Sequence, residues 1–167
     1  RSMVRPTERP TLTAFCTQLT SITQAQVDAA QPLDNALREF EMWLSKHGLL
    51  DTPAAVLPIT CGDWDLMSQL PRECRRKNLR VPQALRRWCN VKKTFAAATG
   101  GKAGGMARML SALKLTLQGH HHLGIDDARN IARIAITLAQ RGAEIAPTGG
   151  DCAQPGEEPE EYTSVTG

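Results

Sequence analysis

The chain has 167 residues, of which 41% are hydrophobic and 22% are charged, a composition typical of one globular domain with a sizeable core. Its formal charge of +3 is uneven, because residues 147–167 carry five acids and no Lys or Arg; removing those five charges leaves +8 on residues 1–146, which suits a polyanionic partner such as nucleic acid. The five cysteines form no CxxC pair, which excludes a zinc ribbon and favours a reducing compartment, the cytosol or nucleus. No apolar run has the length of a membrane span, which excludes a membrane protein.

In chain order, the first twenty residues are rich in Pro and Thr and are predicted to be an extended leading segment. Thr23-Gln-Ala-Gln26 has capping-box spacing, which predicts a short helix to about Ala30. A second helix is predicted between Pro32 and Gly48, because apolar residues recur at helical spacing there: Leu33, Leu37, Phe40 and Leu44.

The middle of the chain predicts one strand and several short helices. Ala54–Thr60 is an apolar, β-branched run that fits a buried strand, although Pro58 cannot donate to a ladder and favours an edge or a bulge. A helix is predicted from Leu66 onward and another over Pro82–Trp88, while residues 90–93 fit either a brief strand or a turn into a helix.

The last third predicts a glycine loop, two helices and a disordered tail. The loop at residues 100–105 contains Gly-Gly-Lys but lacks the spacing of a P-loop. Met106–Leu115 is predicted to be helical, as is Asp126–Arg141, with a buried stripe of Ala128, Ile131, Ala135 and Leu138. We therefore expect a domain of α/β class over residues 1–146 and a disordered acidic tail over residues 147–167.

Three residues could carry chemistry on a phosphate ester. Asp65 follows a predicted strand, where a carboxylate can hold a hard cation such as Mg²⁺, although it or Asp63 could simply cap the next helix. His122 lies five residues before Asp127 at the start of a helix, a spacing that can bring a general base and a metal ligand together. For Asp126 we expect only a helix-dipole or capping role.

Other polar and aromatic groups have more than one interpretation. The His120–His122 triplet lacks further ligands for a transition-metal site, and adjacent histidines are expected to point in different directions. Trp64 and Trp88 fit the core more readily than a base-stacking role. The basic residues are either a solvated face or a path for a phosphate backbone: Arg72, Arg75, Arg76, Lys77, Arg80, Arg86, Arg87, Lys92 and Lys93.

Five stretches of the chain, taken in order, carry a resemblance to a known family. They are Val4-Arg-Pro6, Leu12-Thr-Ala-Phe-Cys16, Leu19–Asp28, Cys61-Gly-Asp-Trp-Asp-Leu66 and His122-Leu-Gly-Ile-Asp-Asp-Ala-Arg-Asn-Ile-Ala-Arg133. Together they resemble the DEDDh 3′–5′ exonucleases, more narrowly the Eri-type exoribonucleases and the branch of prion-protein-interacting exonuclease homologues. The resemblance covers about residues 3–143.

The resemblance implies an RNase H-like exonuclease fold, in which helices flank a mixed five-stranded sheet. It also implies removal of nucleotides from RNA 3′ ends with two Mg²⁺ or Mn²⁺ ions. By motif, Asp65 and Asp127 resemble metal-binding acids and His122 resembles the general base. The candidate substrate-binding residues are Trp64, Lys92 and Lys93.

The chain departs from this family in one respect. The family's first motif, Asp-x-Glu, is expected upstream of Val4-Arg-Pro6, and no segment here replaces it. The resemblance therefore implies an N-terminally truncated domain that lacks its first strands and two of four metal-binding acids, with little nuclease activity by itself. The alternative function is a non-catalytic remnant that binds RNA or a protein partner.

Overall fold

A computed structural model describes residues 1–50 and 56–150 and confirms the α/β class. The described residues form seven α-helices: α1 (Ala14–Thr20), α2 (Gln24–Asp28), α3 (Leu33–Lys46), α4 (Leu70–Arg76), α5 (Val91–Thr99), α6 (Met106–Ala112) and α7 (Gly124–Gln140). Their three short strands are β1 (Ile59–Thr60), β2 (Arg87–Asn90) and β3 (Gly149–Gly150). In these ranges, every helix is too short or too polar to cross a bilayer.

The strands form one mixed sheet with β2 in the centre. β1 runs parallel to β2, with Ile59 opposite Cys89 and Thr60 opposite Asn90, whereas β3 runs antiparallel to it. Parallel pairing places the carboxyl ends of β1 and β2 at the same edge, where the next residues of both segments can meet.

Local capping determines where the first helices begin. The predicted capping box is confirmed, because the Thr23 hydroxyl accepts the Gln26 N–H at 3.3 Å and the Gln26 side chain accepts the Thr23 N–H at 2.9 Å. The predicted extended leading segment is wrong over its last third. Thr13 accepts the Cys16 N–H at 3.1 Å and starts α1 there.

The predicted strand over Ala54–Thr60 is shorter in the structure. Residues 54 and 55 lie outside the described ranges, and only Ile59–Thr60 pairs as a strand. Pro58 lies just before it and contributes an acceptor, because its carbonyl oxygen receives the Cys89 N–H at 2.9 Å. The helix predicted from Leu66 is present, as a π-helical turn at Asp65–Gln69 that continues into α4.

The prediction of a helix over Pro82–Trp88 is wrong. A single 3₁₀ turn covers Gln83–Leu85, and the chain then extends into β2. Trp88 and Cys89 are adjacent and both buried, which suits a strand covered on both faces rather than a surface helix. For residues 90–93 the helical alternative is confirmed, because the Asn90 side chain caps α5.

The main core lies between α5, α6 and α7 and consists of Val91, Phe95, Met106, Met109, Leu110, Leu113, Ile134, Ala135 and Leu138. Two predicted members of the α7 stripe, Ala135 and Leu138, are buried. Ala128 is exposed, contrary to prediction, and Ile134 is buried in the stripe. The exposed Ala128 leaves that end of α7 open beside β1.

Ordered structure continues beyond residue 146. The Thr148 N–H donates to the Trp88 carbonyl at 2.9 Å, and Gly149 lies so close to the Trp88 indole that a Cβ would be 2.6 Å from its Cε2. β3 and its contacts with β2 therefore lie beyond residue 146, the predicted end of the domain. The predicted disorder of residues 151–167 lies outside the described residues.

Candidate active site

A cleft of about 590 Å³ lies between β1 and the first turns of α7. Its walls include the predicted acids Asp65 and Asp127 and the predicted lysine Lys92. The other polar groups that line it are Thr60, Cys61 and His121. Residues from three distant parts of the chain thus meet at the carboxyl end of the sheet.

Asp65 is presented by a tight turn, Gly62–Asp65, which we call the acid turn. Gly62 has a φ of +125° that favours glycine, and its N–H donates to the Asn90 Oδ1 at 3.1 Å. Asp65 itself is exposed, and among the described residues its carboxylate accepts no hydrogen bond. The carboxylate is therefore free to bind a ligand from the cleft.

Asp63 has a structural role instead. Its carboxylate accepts the Trp88 Nε1–H at 2.9 Å and pairs with the Lys93 ammonium at 3.1 Å, so it does not cap the following helix. Burial acts to raise the pKa of Asp63, but the hydrogen bonds from Trp88 and Lys93 outweigh it, and the pKa is lowered. Asp63 thereby ties the acid turn to β2 and α5.

The Gly119–Leu123 segment, the histidine loop, is held by two carboxylates from the first turn of α7. Asp126 accepts the His120 N–H at 2.9 Å, and Asp127 accepts the His122 N–H at 3.2 and 3.3 Å. Gly119 has a φ of +75° and passes so close to Asp126 that a Cβ would be 2.3 Å from its carboxylate. Asp126 has the helix-start role that was predicted for it.

The expectation that the adjacent histidines point apart is wrong for two of them. His122 has a left-handed φ of +73°, and this reversal stacks its ring on that of His121, with centroids 4.0 Å apart and planes at 15°. Ligand atoms of His121, His122 and Asp127 all lie within 4.8 Å of one another.

The two stacked rings lie where the cleft meets a neighbouring hollow of about 460 Å³. His121 lines both the cleft and the hollow, whereas His122 lines the hollow, together with Phe15 and Leu19 of α1. Phe15 is 68% exposed. The structure thus brings His122 to Asp127 at the rim between the hollows and places a ring that was not predicted, that of His121, on the cleft itself.

The charges in the cleft act on one another. Burial raises the pKa of the Cys61 thiol, the Lys92 ammonium opposes this rise, and the Asp127 and Asp65 carboxylates add to it. The two carboxylates and the Lys92 ammonium therefore all lie close enough to the Cys61 thiol for their charges to change its pKa.

Two residues that were predicted to bind substrate, Trp64 and Lys93, lie outside the cleft walls. Trp64 is 56% exposed, so its predicted place in the core is wrong, and the Arg72 guanidinium lies 5.4 Å from its ring centroid. Trp88 is buried as predicted. Lys93 donates to the Thr148 carbonyl at 3.1 Å in addition to pairing with Asp63, so it joins two segments of the fold.

Part of the basic surface is neutralised by nearby acids. Arg76 pairs with Glu8, Lys77 with Glu73 and Arg80 with Glu41. The Arg76 and Arg80 side chains are exposed and the Lys77–Glu73 pair is partly buried, so the pairs of the two arginines agree with the solvated-face interpretation. Lys92 differs from them, because it faces the cleft and forms no ion pair among the described residues.

The donors in the cleft fit a hard divalent cation. Asp65 and Asp127 supply carboxylate oxygens, and the buried Thr60 hydroxyl beside them has no hydrogen-bond partner in the described structure. Oxygen donors of this kind suit Mg²⁺ and Mn²⁺. Neither Thr60 nor His121 was predicted from the sequence. A threonine at the end of a strand is too common to indicate a cation ligand. The direction of the His121 ring depends on the backbone conformation of the next residue, which the sequence pattern does not show.

Together, the α/β fold and a cleft with two carboxylates at the edge of the sheet are typical of the class of domains that use a divalent cation. The exonuclease family model RNase_T matches residues 1–135. The ERI1 exoribonuclease 3 proteins of Bos taurus and of Homo sapiens are each 43% identical to this chain over 140 residues, which are 83% of this chain and 42% of each relative. The chain belongs to the RNase_T exonuclease family.

Solved structures agree with this assignment. The nuclease domain of 3′hExo, a DEDDh family member bound to rAMP, superimposes with a TM-score of 0.83 at 31% identity, over 89% of this chain and 74% of that chain. A 3′-exonuclease that recognises the histone mRNA stem-loop gives a TM-score of 0.79 at 29% identity, over 87% of this chain and 65% of that chain. The predicted family and its RNase H-like fold are confirmed, and the chain spans 42% of the length of the curated relatives above.

Proposed function

We propose that this chain contributes the cation-binding and proton-accepting residues of a 3′–5′ exoribonuclease, which removes nucleotides from RNA 3′ ends. The observation that carries the proposal is the meeting of Asp65, Asp127 and Lys92 at one cleft, with His122 bonded to Asp127 at its rim. Membership of an exonuclease family and the similarity to a protein that recognises an RNA 3′ end support it.

In the proposed reaction, the oxygen of a water molecule forms a bond to the terminal phosphorus, and the bond from phosphorus to the 3′ oxygen of the preceding nucleotide breaks. His122 accepts the proton from the water, and the leaving 3′ oxygen takes a proton from solvent. A nucleoside 5′-monophosphate is released. The Asp127 carboxylate holds the histidine loop at the His122 N–H, which keeps the imidazole at the rim of the cleft.

The proposed cation is Mg²⁺ or Mn²⁺, held by Asp65 and Asp127. When bound, such a cation withdraws charge from phosphate oxygens and lowers the pKa of a coordinated water. Lys92 offsets the charge of the phosphodiester. The exposed rings of Trp64 and Phe15 offer apolar faces on which bases can stack.

Titration of the chain with Mn²⁺, followed by the electron paramagnetic resonance signal of the free ion, tests the cation site. Asp65→Asn and Asp127→Asn are each expected to weaken binding at least tenfold. Asp126→Asn is the matched control, because Asp126 lies next to Asp127 in the same helical turn but is bonded to His120 and Arg129. Equal losses in Asp126→Asn and Asp127→Asn, or unchanged binding in both Asp65→Asn and Asp127→Asn, would rule out the assigned site.

A further inference from the structure

The Asn90 side chain joins two walls of the cleft through a single oxygen atom. Asn90 is the last residue of β2 and is 5% exposed. Its Oδ1 accepts the N–H of Gly62 at 3.1 Å and that of Lys92 at 3.0 Å. Gly62 begins the acid turn and Lys92 is the second residue of α5, so one amide oxygen bonds both segments, in addition to the pairing of β1 with β2 and the contacts of Asp63.

The Asn90 backbone is held in turn by the segment that follows α7. Its N–H donates to the Thr148 Oγ1 at 2.7 Å. The Thr148 carbonyl accepts the Lys93 ammonium, which also pairs with Asp63 in the acid turn. These bonds form a closed ring that leads from Asn90 through Thr148, Lys93 and the acid turn back to Asn90.

Asp65 depends on this ring because its own carboxylate accepts no hydrogen bond from the described residues. Its position is therefore set by its backbone. The Asp65 carbonyl accepts the Leu70 N–H in the following helix, and the preceding turn is held at the Gly62 N–H and at the Asp63 carboxylate. Glycine adopts positive and negative φ values about equally readily. The bond from the Gly62 N–H to Asn90 therefore stabilises the positive φ that is observed at Gly62.

We propose that Asn90 is a positioning residue, which sets the separation of Asp65 and Lys92 and thereby the affinity of the cleft for its cation. The inference rests on the proposed function, because it takes Asp65 to be a ligand of that cation. Partners of this indirect kind, which orient a ligand without touching the metal, change metal affinity by about 10–100-fold when they are removed.

A purely structural role of Asn90 is separable from positioning. As the N-cap of α5, Asn90 needs only to reach the Lys92 N–H two residues later, and serine does this as well as asparagine. A serine hydroxyl lies one bond closer to the backbone than the asparagine Oδ1, so we expect it to keep the local bond to the Lys92 N–H and to lose the bond to the Gly62 N–H on the neighbouring segment. Asn90→Ser therefore keeps the helix cap and removes the bond to the acid turn.

The test is a Mn²⁺ titration of the wild-type chain, Asn90→Ser, Asn90→Ala and the control Thr94→Val, each with a urea denaturation curve. Thr94 is buried on the same helix, and its hydroxyl contacts the Cys89 Sγ at 3.2 Å, away from the acid turn. We expect Asn90→Ser to unfold near the wild-type urea midpoint yet to bind Mn²⁺ about 10–100-fold more weakly. Thr94→Val is expected to bind as the wild type does.

The outcomes separate the two proposals. If the wild-type chain binds Mn²⁺ through Asp65 and a folded Asn90→Ser binds within twofold of it, the positioning role is wrong and the proposed function stands. If the wild type shows no binding that depends on Asp65, the proposed function fails, and the inference with it. Should Asn90→Ser not fold, Trp88→Phe removes the indole donor to Asp63 instead; unchanged affinity there would also overturn the inference.

Discussion

The buried Asn130 on α7 provides a direct test of how the histidine loop is attached. Asn130 is 1% exposed, and its amide pairs twice with the backbone of Gln118: the Oδ1 accepts the N–H at 3.1 Å and the Nδ2 donates to the carbonyl at 2.7 Å. It also bonds to the Asp126 carbonyl and the Arg133 guanidinium, but those groups have other partners. We therefore count only the pair with Gln118.

Asn130→Ala removes both bonds and leaves two half-buried backbone groups without a partner. At about 1–1.5 kcal/mol for each bond, the free energy of unfolding should fall by about 2–3 kcal/mol. With a urea slope of about 1–3 kcal/mol/M, the denaturation midpoint should fall by about 0.7–3 M. Gln118→Ala is the matched control, because Gln118 uses only backbone atoms in these bonds and its side chain is exposed. A loss below about 0.5 kcal/mol in Asn130→Ala, or an equal loss in the control, would refute this account.

Four further outcomes are expected. The 167-residue polypeptide by itself should trim single-stranded RNA little or not at all in Mg²⁺ or Mn²⁺ on a gel; robust trimming that His122→Ala abolishes would contradict this. Met109→Ala, at a site that is 0% exposed, should lower the free energy of unfolding by about 2–5 kcal/mol in urea. Folding lowers the pKa of Asp63 below its ordinary value of 3.8. The ionised Asp63 carboxylate therefore stabilises the fold above pH 3.8, and this stabilisation is lost as the pH falls through the folded pKa. On acidification below about pH 4, Asp63→Asn should thus lose less stability than the wild type. Gly150→Ala places a Cβ 2.0 Å from the Arg86 carbonyl oxygen and should detach β3 from β2. The amide hydrogen of Thr148 should then exchange faster; an unchanged exchange rate would contradict this prediction.

Much of the fold could be predicted where local chemistry alone decides the structure. The capping box at Thr23 and the long amphipathic pattern of α7 each depend on neighbours within a few residues, and both are present as predicted. The helix predicted over Pro82–Trp88 was wrong at its end, where β2 begins, because a short segment fits a strand or a helix until its packing partners are known. β3 consists of two glycines, which have no side-chain preference for a strand.

Part of the candidate site was predicted from the family resemblance rather than from local chemistry. Asp65, Asp127 and His122 stand in sequence patterns that resemble those of the family, and the structure places both acids in one cleft and His122 at its rim. The role of Asn90 could not be read from the chain, because its partner Gly62 is 28 residues away. The stacking of His121 on His122 also escaped prediction, since a left-handed φ at a non-glycine residue is uncommon and has no sequence signature here.

The bond from Asn90 to Thr148 has a consequence for the order in which the molecule folds. The two residues are 58 positions apart, so their contact closes a long loop and gains nothing until most of the chain between them is ordered. The helices of the core can form from local contacts well before that point. We therefore expect the acid turn to be among the last parts of the domain to become ordered during folding. In the native state, opening of the Thr148 segment alone would remove one support of the residues that hold the acid turn, at a lower free energy than global unfolding.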